Sequence, residues 1–225
     1  MYGRAHGSHE QIAPCEEAGM GLGRLFGRGA TEGEVEKRPD GRDRLPPGQY
    51  HTKKWPVLSY ESTPKFDAEK YRFKVWGEVA EPLELNWTEL QALPRTQFIA
   101  DFHCVTTWSR YDNTWEGVHI REILQRAKPL PEAKFVMVHS WTDYTTNLPL
   151  VDLDDDDVII AIKHDGKELE AEHGGPVRLV VPKLYFYKSA KWLDGFEFME
   201  QDRPGFWEQR GYHNHADPWQ EERYW

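Results

Sequence analysis

Cysteine is nearly absent from this chain, with two residues, Cys15 and Cys104, in 225. A disulfide framework is therefore excluded, and a Cys15–Cys104 bridge is not expected without sign of an oxidising compartment. No apolar run approaches the roughly 20 residues that span a bilayer. The N-terminus, MYGRAHGSHEQIAPCEEAGMG, lacks a hydrophobic stretch and a twin arginine, so no export signal is visible and a cytoplasmic protein is expected. Excess basic charge is missing too: the net charge is −10, which excludes a general nucleic-acid binder. There is no G-x-S-x-G, Walker loop, G-x-G-x-x-G or C-x-x-C, so ordinary hydrolase and nucleotide readings lose their support.

What is present is aromatic. Ten tryptophans, ten tyrosines and ten phenylalanines supply rings for a core and for the walls of a ligand cleft. A length of 225 residues suits one domain with a tail. Residues 1–44, rich in Gly, Glu and Arg, have the composition of a flexible tail that includes Cys15, and order is expected over 45–225. YRFKVWGEV (71–79) alternates like a strand. Asn86 or Thr88 caps a helix WTELQAL that Pro94 stops. TQFIADFHC (96–104) reads as extended, and VHIREILQRA (118–127) as a helix with Ile120, Ile123, Leu124 and Ala127 on one stripe. Three β-branched runs, 134–140, 158–164 and 176–182, read as strands, with Asp165-Gly166 as a hairpin turn. The four aspartates at 154–157 lack the spacing of a calcium loop and read as a solvated turn. The expected class is a mixed, strand-rich α+β fold.

Residues 174–193, GGPVRLVVPKLYFYKSAKWL, contain no acid, although the composition puts about three in any 20. They contain Arg178, Lys183, Lys188 and Lys191. Water-facing lysines are the bland account. The sharper one is an anion site, with Arg as a planar fork, Lys as a point charge and Ser189 as a hydroxyl, introduced by the glycines after His173. His213 and His215 form an H-x-H pair of metal-ligand type. His103 adjoins Cys104, but neighbours in a strand point to opposite faces, which disfavours a direct pair. A thiol followed by a basic segment suits a metal-bearing anionic cofactor, since the soft thiolate binds metal and the cations hold phosphate.

Four segments, RLPPGQ…WPVLSYESTP (44–64), FHCVTTWS (102–109), HGGPVRLVVP…YKSAKWL (173–193) and WEQRGY (207–212), make the chain resemble the molybdopterin domain of the sulfite oxidase family, especially its small stand-alone bacterial members. The resemblance implies a molybdenum cofactor with one pterin. It makes Cys104 the protein ligand to the metal and Tyr212 the active-site tyrosine. It also implies pterin contacts at Ser59, Tyr60, Ser140, His173, Arg178, Ser189, Ala190 and Lys191. The activity implied is oxygen-atom transfer on a small molecule.

The chain also departs from the family pattern. Sulfite-oxidising members carry substrate arginines where this sequence has Leu58 and Trp108, although Arg110 or Arg210 is available to substitute. The C-V-x-x-W-S pattern is similar to that of the methionine-sulfoxide reductase branch. An S-oxide or N-oxide is therefore the expected substrate, with sulfite oxidation as the alternative. The heme and dimerisation domains of longer members are missing, which implies an external electron-transfer partner and a monomer. Two competitors remain open: a cysteine- or zinc-dependent enzyme using Cys104, His213 and His215, and a non-catalytic carrier of the cofactor.

Overall fold

A computed structural model describes residues 36–38 and 41–225. One sheet joins β1 (Tyr50–His51), β4 (Arg95–His103), β5 (Trp108–His119), β8 (Ile159–His164), β9 (Lys167–Glu168) and β10 (Arg178–Val180), with β5 at its hub. The other runs in the order β3 (Leu83–Asn86), β2 (Arg72–Gly77), β11 (Leu193–Met199), β6 (Phe135–Ser140), β7 (Thr145–Pro149). Helices α1 (Trp87–Gln91), α2 (Ile120–Ala127) and α3 (Leu150–Leu153) are short. The class is the mixed, strand-rich α+β fold expected. No helix among the described residues is long and apolar enough to cross a membrane.

Local sequence explains most of these elements. In β2, Phe73 and Val75 are buried while Arg72 and Lys74 face out, the period of a half-covered sheet. β8 opens IIAI without alternation because both of its faces are covered. Ile160 and Ile162 join the main core, whereas Ile159 and Ala161 join an aromatic core with Phe102, Trp108 and Trp115. Asn86 caps α1 in a reciprocal capping box with Glu89. Asp165 and Gly166 take the positive φ angles that a tight β8–β9 hairpin needs.

Helix α2 starts at Ile120, two residues later than expected, because Gly117–His119 still pair with β8. A Cβ at Gly117 would sit 2.0 Å from the Ile160 carbonyl, so only glycine permits that approach. Strands β5, β7 and β11 have no counterpart among the expected elements. β5 contains Asp112 and Asn113, residues that normally signal a turn. Buried Asn113 is accommodated because its amide donates to the carbonyls of Ala100 and Arg110. β11 carries Asp194 and Gly195 at a register shift against β6.

The expected tail, residues 1–44, falls mostly outside the described residues, Cys15 with it. Its last part is tied to the body. The Arg44 guanidinium binds Asp101 at 2.6 Å and also meets Glu36 and Asp112. The Trp219 indole donates to the Asp43 carbonyl.

Candidate active site

A cavity of about 320 Å³ lies where four segments converge: 55–61, the turn between β4 and β5, 173–192, and 207–212. All ten residues singled out from sequence line it: Ser59, Tyr60, Cys104, Ser140, His173, Arg178, Ser189, Ala190, Lys191 and Tyr212. They come from positions up to 153 residues apart (59 to 212).

Cys104 opens the four-residue turn from β4 to β5. Its N–H donates to the Trp108 carbonyl at 2.8 Å, its carbonyl accepts from the Gln49 amide, and its Sγ lies 3.1 Å from the Thr106 hydroxyl. It is a free thiol, and burial pushes its pKa up. That is the reverse of an activated nucleophile. Its neighbour His103 points away from the cavity, bonded to the Ser109 hydroxyl at 2.8 Å. Burial pushes the ring down to about 3, so it is neutral and cannot activate the thiol as a cation. His213 and His215 do not line the cavity. They pair instead with Glu222 and Asp152.

The basic segment divides. Lys183 is neutralised by Asp152 and Asp155, and Lys188 by Glu208, so neither serves the cavity. Arg178 and Lys191 do line it, and neither meets a carboxylate among the described residues. Arg178 is almost wholly buried, donating to the carbonyls of His173 at 2.7 Å, Ser189 at 2.6 Å and Leu179 at 3.3 Å, with its guanidinium 4.1 Å from the centre of the Phe186 ring. Lys191 donates to the carbonyls of Leu58 at 2.8 Å and Glu172 at 2.7 Å. Burial, with the Arg178 charge added, pushes Lys191 down to about 8. His173 is pushed down to about 4 by burial and then by Arg178 and Lys191, and its Nδ1 is buried without a partner.

Two cations without counter-ions and an unsatisfied imidazole nitrogen describe a site that fits an anionic ligand. A lone thiol in the same cavity suits a soft metal. The residues present therefore fit a molybdopterin-type cofactor. At Gly174 the backbone approaches Lys191 so closely that a Cβ would lie 3.0 Å from the Lys191 Cβ, which requires glycine there, at a φ of +104°.

Tyr212 also lines the cavity. Its ring lies 4.9 Å from Trp207, 5.2 Å from Tyr187 and 5.2 Å from Tyr224. Burial, then the neighbouring Tyr224 and Cys104, push its hydroxyl pKa up, so it stays protonated as a hydrogen-bond donor. Sequence reasoning missed Trp55, which stacks on His173 with ring centres 3.9 Å apart, and also Tyr144, Tyr187 and Trp207. Trp55 and Trp207 lie inside the motifs already noticed, but only side-chain direction sets them on the wall. Leu58 and Trp108 line the cavity where substrate arginines were missed, and Glu61 adds an acid. Neither possible substitute is there: Arg110 is spent on Asp165, Asn113 and His164, and Arg210 on the Phe206 carbonyl and ring.

Comparison with known proteins places the chain in a family. Residues 60–207 match the family described as oxidoreductase molybdopterin binding domain. The uncharacterized oxidoreductase YuiH of Bacillus subtilis is 43% identical over 189 residues, 84% of this chain and 96% of that one. The catalytic subunit of the protein-methionine-sulfoxide reductase MsrP of Campylobacter jejuni is 31% identical over 160 residues, 64% of this chain. The chain spans about half of MsrP, 54% of its length. The sulfane dehydrogenase SoxCD of Paracoccus pantotrophus shares the fold, with a TM-score of 0.59 and 22% identity, over 70% of this chain and 46% of that one. The chain belongs to the molybdopterin-binding oxidoreductase family of sulfite oxidase type. It is an enzyme of that family.

Proposed function

We propose that this oxidoreductase reduces a neutral or weakly charged S-oxide or N-oxide at a molybdenum cofactor carrying one pterin. The observation that carries this reading is the charge inventory of the cavity. Among the described residues that line it, the Arg and Lys side chains are Arg178 and Lys191, both in the basic segment, while Leu58, Trp108 and Glu61 are among the others on its wall. The relative MsrP is named for methionine-sulfoxide reduction, which supports the same substrate class. A molybdenum cofactor held there would supply the two-electron redox chemistry. Cys104 is the residue that would hold the metal, and His173, Arg178, Ser189 and Lys191 are those that would hold the pterin phosphate, with Ser59, Tyr60, Ser140 and Ala190 alongside.

Reduction of an S-oxide to a sulfide consumes two electrons and two protons and releases water. The electrons come from a separate redox protein. Tyr212 keeps its proton and donates a hydrogen bond to the oxygen being moved. The apolar wall of Leu58 and Trp108 receives the organic body of the substrate. Sulfite, a dianion, would lose its hydration there without a charged partner, at a cost of several kcal/mol.

The expected result is turnover with reduced dye on a panel of sulfoxides and N-oxides, accompanied by molybdenum in the purified protein, and poor oxidation of sulfite. Sulfite turnover with kcat/KM above roughly 10⁴ M⁻¹s⁻¹, the low end for a natural substrate, and none on the panel would sink the proposal.

A pH dependence follows from Lys191. With its ammonium pKa held near 8, the cofactor-free site loses one of its two charges as pH rises through that value. Cofactor uptake by apoprotein is therefore expected to weaken between pH 7 and pH 9. A Lys191→Arg variant, whose charge persists, should show a shallower slope than the parent; an equal slope in both proteins would remove Lys191 from the phosphate site.

A further inference from the structure

We propose that the buried Lys188–Glu208 ion pair is a positioning device, which holds Tyr212 and Trp207 in register with the cofactor-facing segment 186–191. The inference rests on the reading above for the role of Tyr212.

Both side chains are fully buried, with Nζ 2.6 Å from Oε1. Lys188 Nζ also reaches the Asn147 carbonyl at 2.9 Å, the Asn147 Oδ1 at 3.1 Å and the Asn214 carbonyl at 2.6 Å. The Thr146 hydroxyl donates to the same Glu208 oxygen at 2.7 Å. Three segments distant in sequence thus meet at one ammonium group: 186–191, β7, and 205–214. Neither Lys188 nor Glu208 lines the cavity, yet their chain neighbours do. Phe186, Tyr187 and Ser189 flank the lysine, and Trp207 precedes the glutamate.

Burying an ion pair costs about as much in desolvation as the attraction returns, so a packed apolar pair would be no less stable. What the ions provide beyond stability is direction, because each ammonium proton needs an acceptor at a defined angle. The rest of the segment is fitted to the same anchor. A Cβ at Gly205 would lie 2.5 Å from the Thr146 Cα, so the chain is pressed onto β7 just before Glu208. The Tyr187 hydroxyl donates to the His213 carbonyl, and the Tyr187 ring stands edge-on to Tyr212. A small rotation of 205–214 would therefore carry Tyr212 away from the thiol side of the cavity.

The test is the double variant Lys188→Met/Glu208→Gln, which removes both charges, made in the parent and in a Tyr212→Phe background. The cofactor-loaded double variant is expected to keep its pterin content within about twofold. Its kcat should fall about thirtyfold with little change in KM, a coupling typical of contacting residues. In the Tyr212→Phe background the same change should cost less than about threefold, because the group being positioned is already gone. Equal losses in both backgrounds, or an unchanged kcat, would overturn the proposal. A second readout needs no turnover. In cofactor-free protein, amide hydrogen exchange should speed up across 206–214 while β4 and β10 stay protected. Unchanged exchange overturns the positioning role even if S-oxides prove not to be substrates, and faster exchange upholds it in that same case. If the double variant does not accumulate, Glu208→Asp, which keeps the charge but shortens its reach, gives the same comparisons.

Discussion

Cys104→Ser protein is expected to fold, keep the proposed pterin and turn over nothing. The turn that presents residue 104 is held by its own backbone, through the bonds to the Trp108 carbonyl and from the Gln49 amide, which serine leaves intact. The exchange is nearly isosteric at a half-buried position, so a cost of about 1 kcal/mol and a Tm shift of about 2–4 °C are expected. The groups proposed to face the phosphate, Arg178, Lys191 and His173, are untouched. A hydroxyl, however, is a harder and far less acidic donor than a thiol, so the proposed bond to the metal is lost. Activity measured beside molybdenum and released-pterin content checks this. Parental turnover with an unchanged thiolate-to-metal absorption band would refute the role given to Cys104.

Arg178 and Lys191 should separate in their effects, although sequence alone puts both in one anion site. Arg178→Ala strands three buried carbonyls, those of His173, Leu179 and Ser189. Each unsatisfied group costs about 1–3 kcal/mol, so a Tm loss of about 10 °C or more is expected in a domain of this size, together with cofactor-free protein. Lys191 binds its two carbonyls near the surface, where water replaces the lost donor. Lys191→Ala should therefore leave Tm within about 3 °C while pterin content falls severalfold. Thermal melts paired with pterin analysis decide it. Full pterin content in Lys191→Ala would return this lysine to the role of a solvated surface charge.

The contrast between these two cations shows where sequence reading stops. The acid-free run from 174 to 193 reads as a candidate anion site, but it cannot rank its cations. Lys183 and Lys188 look the same as Lys191 in the chain. They are removed from the cavity only because Asp152, Asp155 and Glu208, none of them within the run, fold back onto them. Likewise, β2, β6 and β8 are legible because each carries its own periodic or β-branched pattern. β5 is not, because its turn-like Asp112 and Asn113 are satisfied by distant partners, Arg44 and the Ala100 carbonyl. A pattern read along the chain sees propensity, and these positions were settled by pairing.

Several things about this protein were determined by its sequence alone. The single thiol in the body of the chain, the glycine-introduced basic segment and the four ordered motifs already specify the cofactor class and the ten residues that meet around the cavity. The absence of arginine at 58 and 108 already argues against a sulfite site. Only the tertiary structure decided which cations remain without counter-ions, that His103 turns away from Cys104, that Trp55 stacks on His173, and that Arg110 and Arg210 are spent elsewhere. The physical reason is that residue type is a property of the chain, whereas the direction of a side chain and the partner that neutralises it are properties of packing.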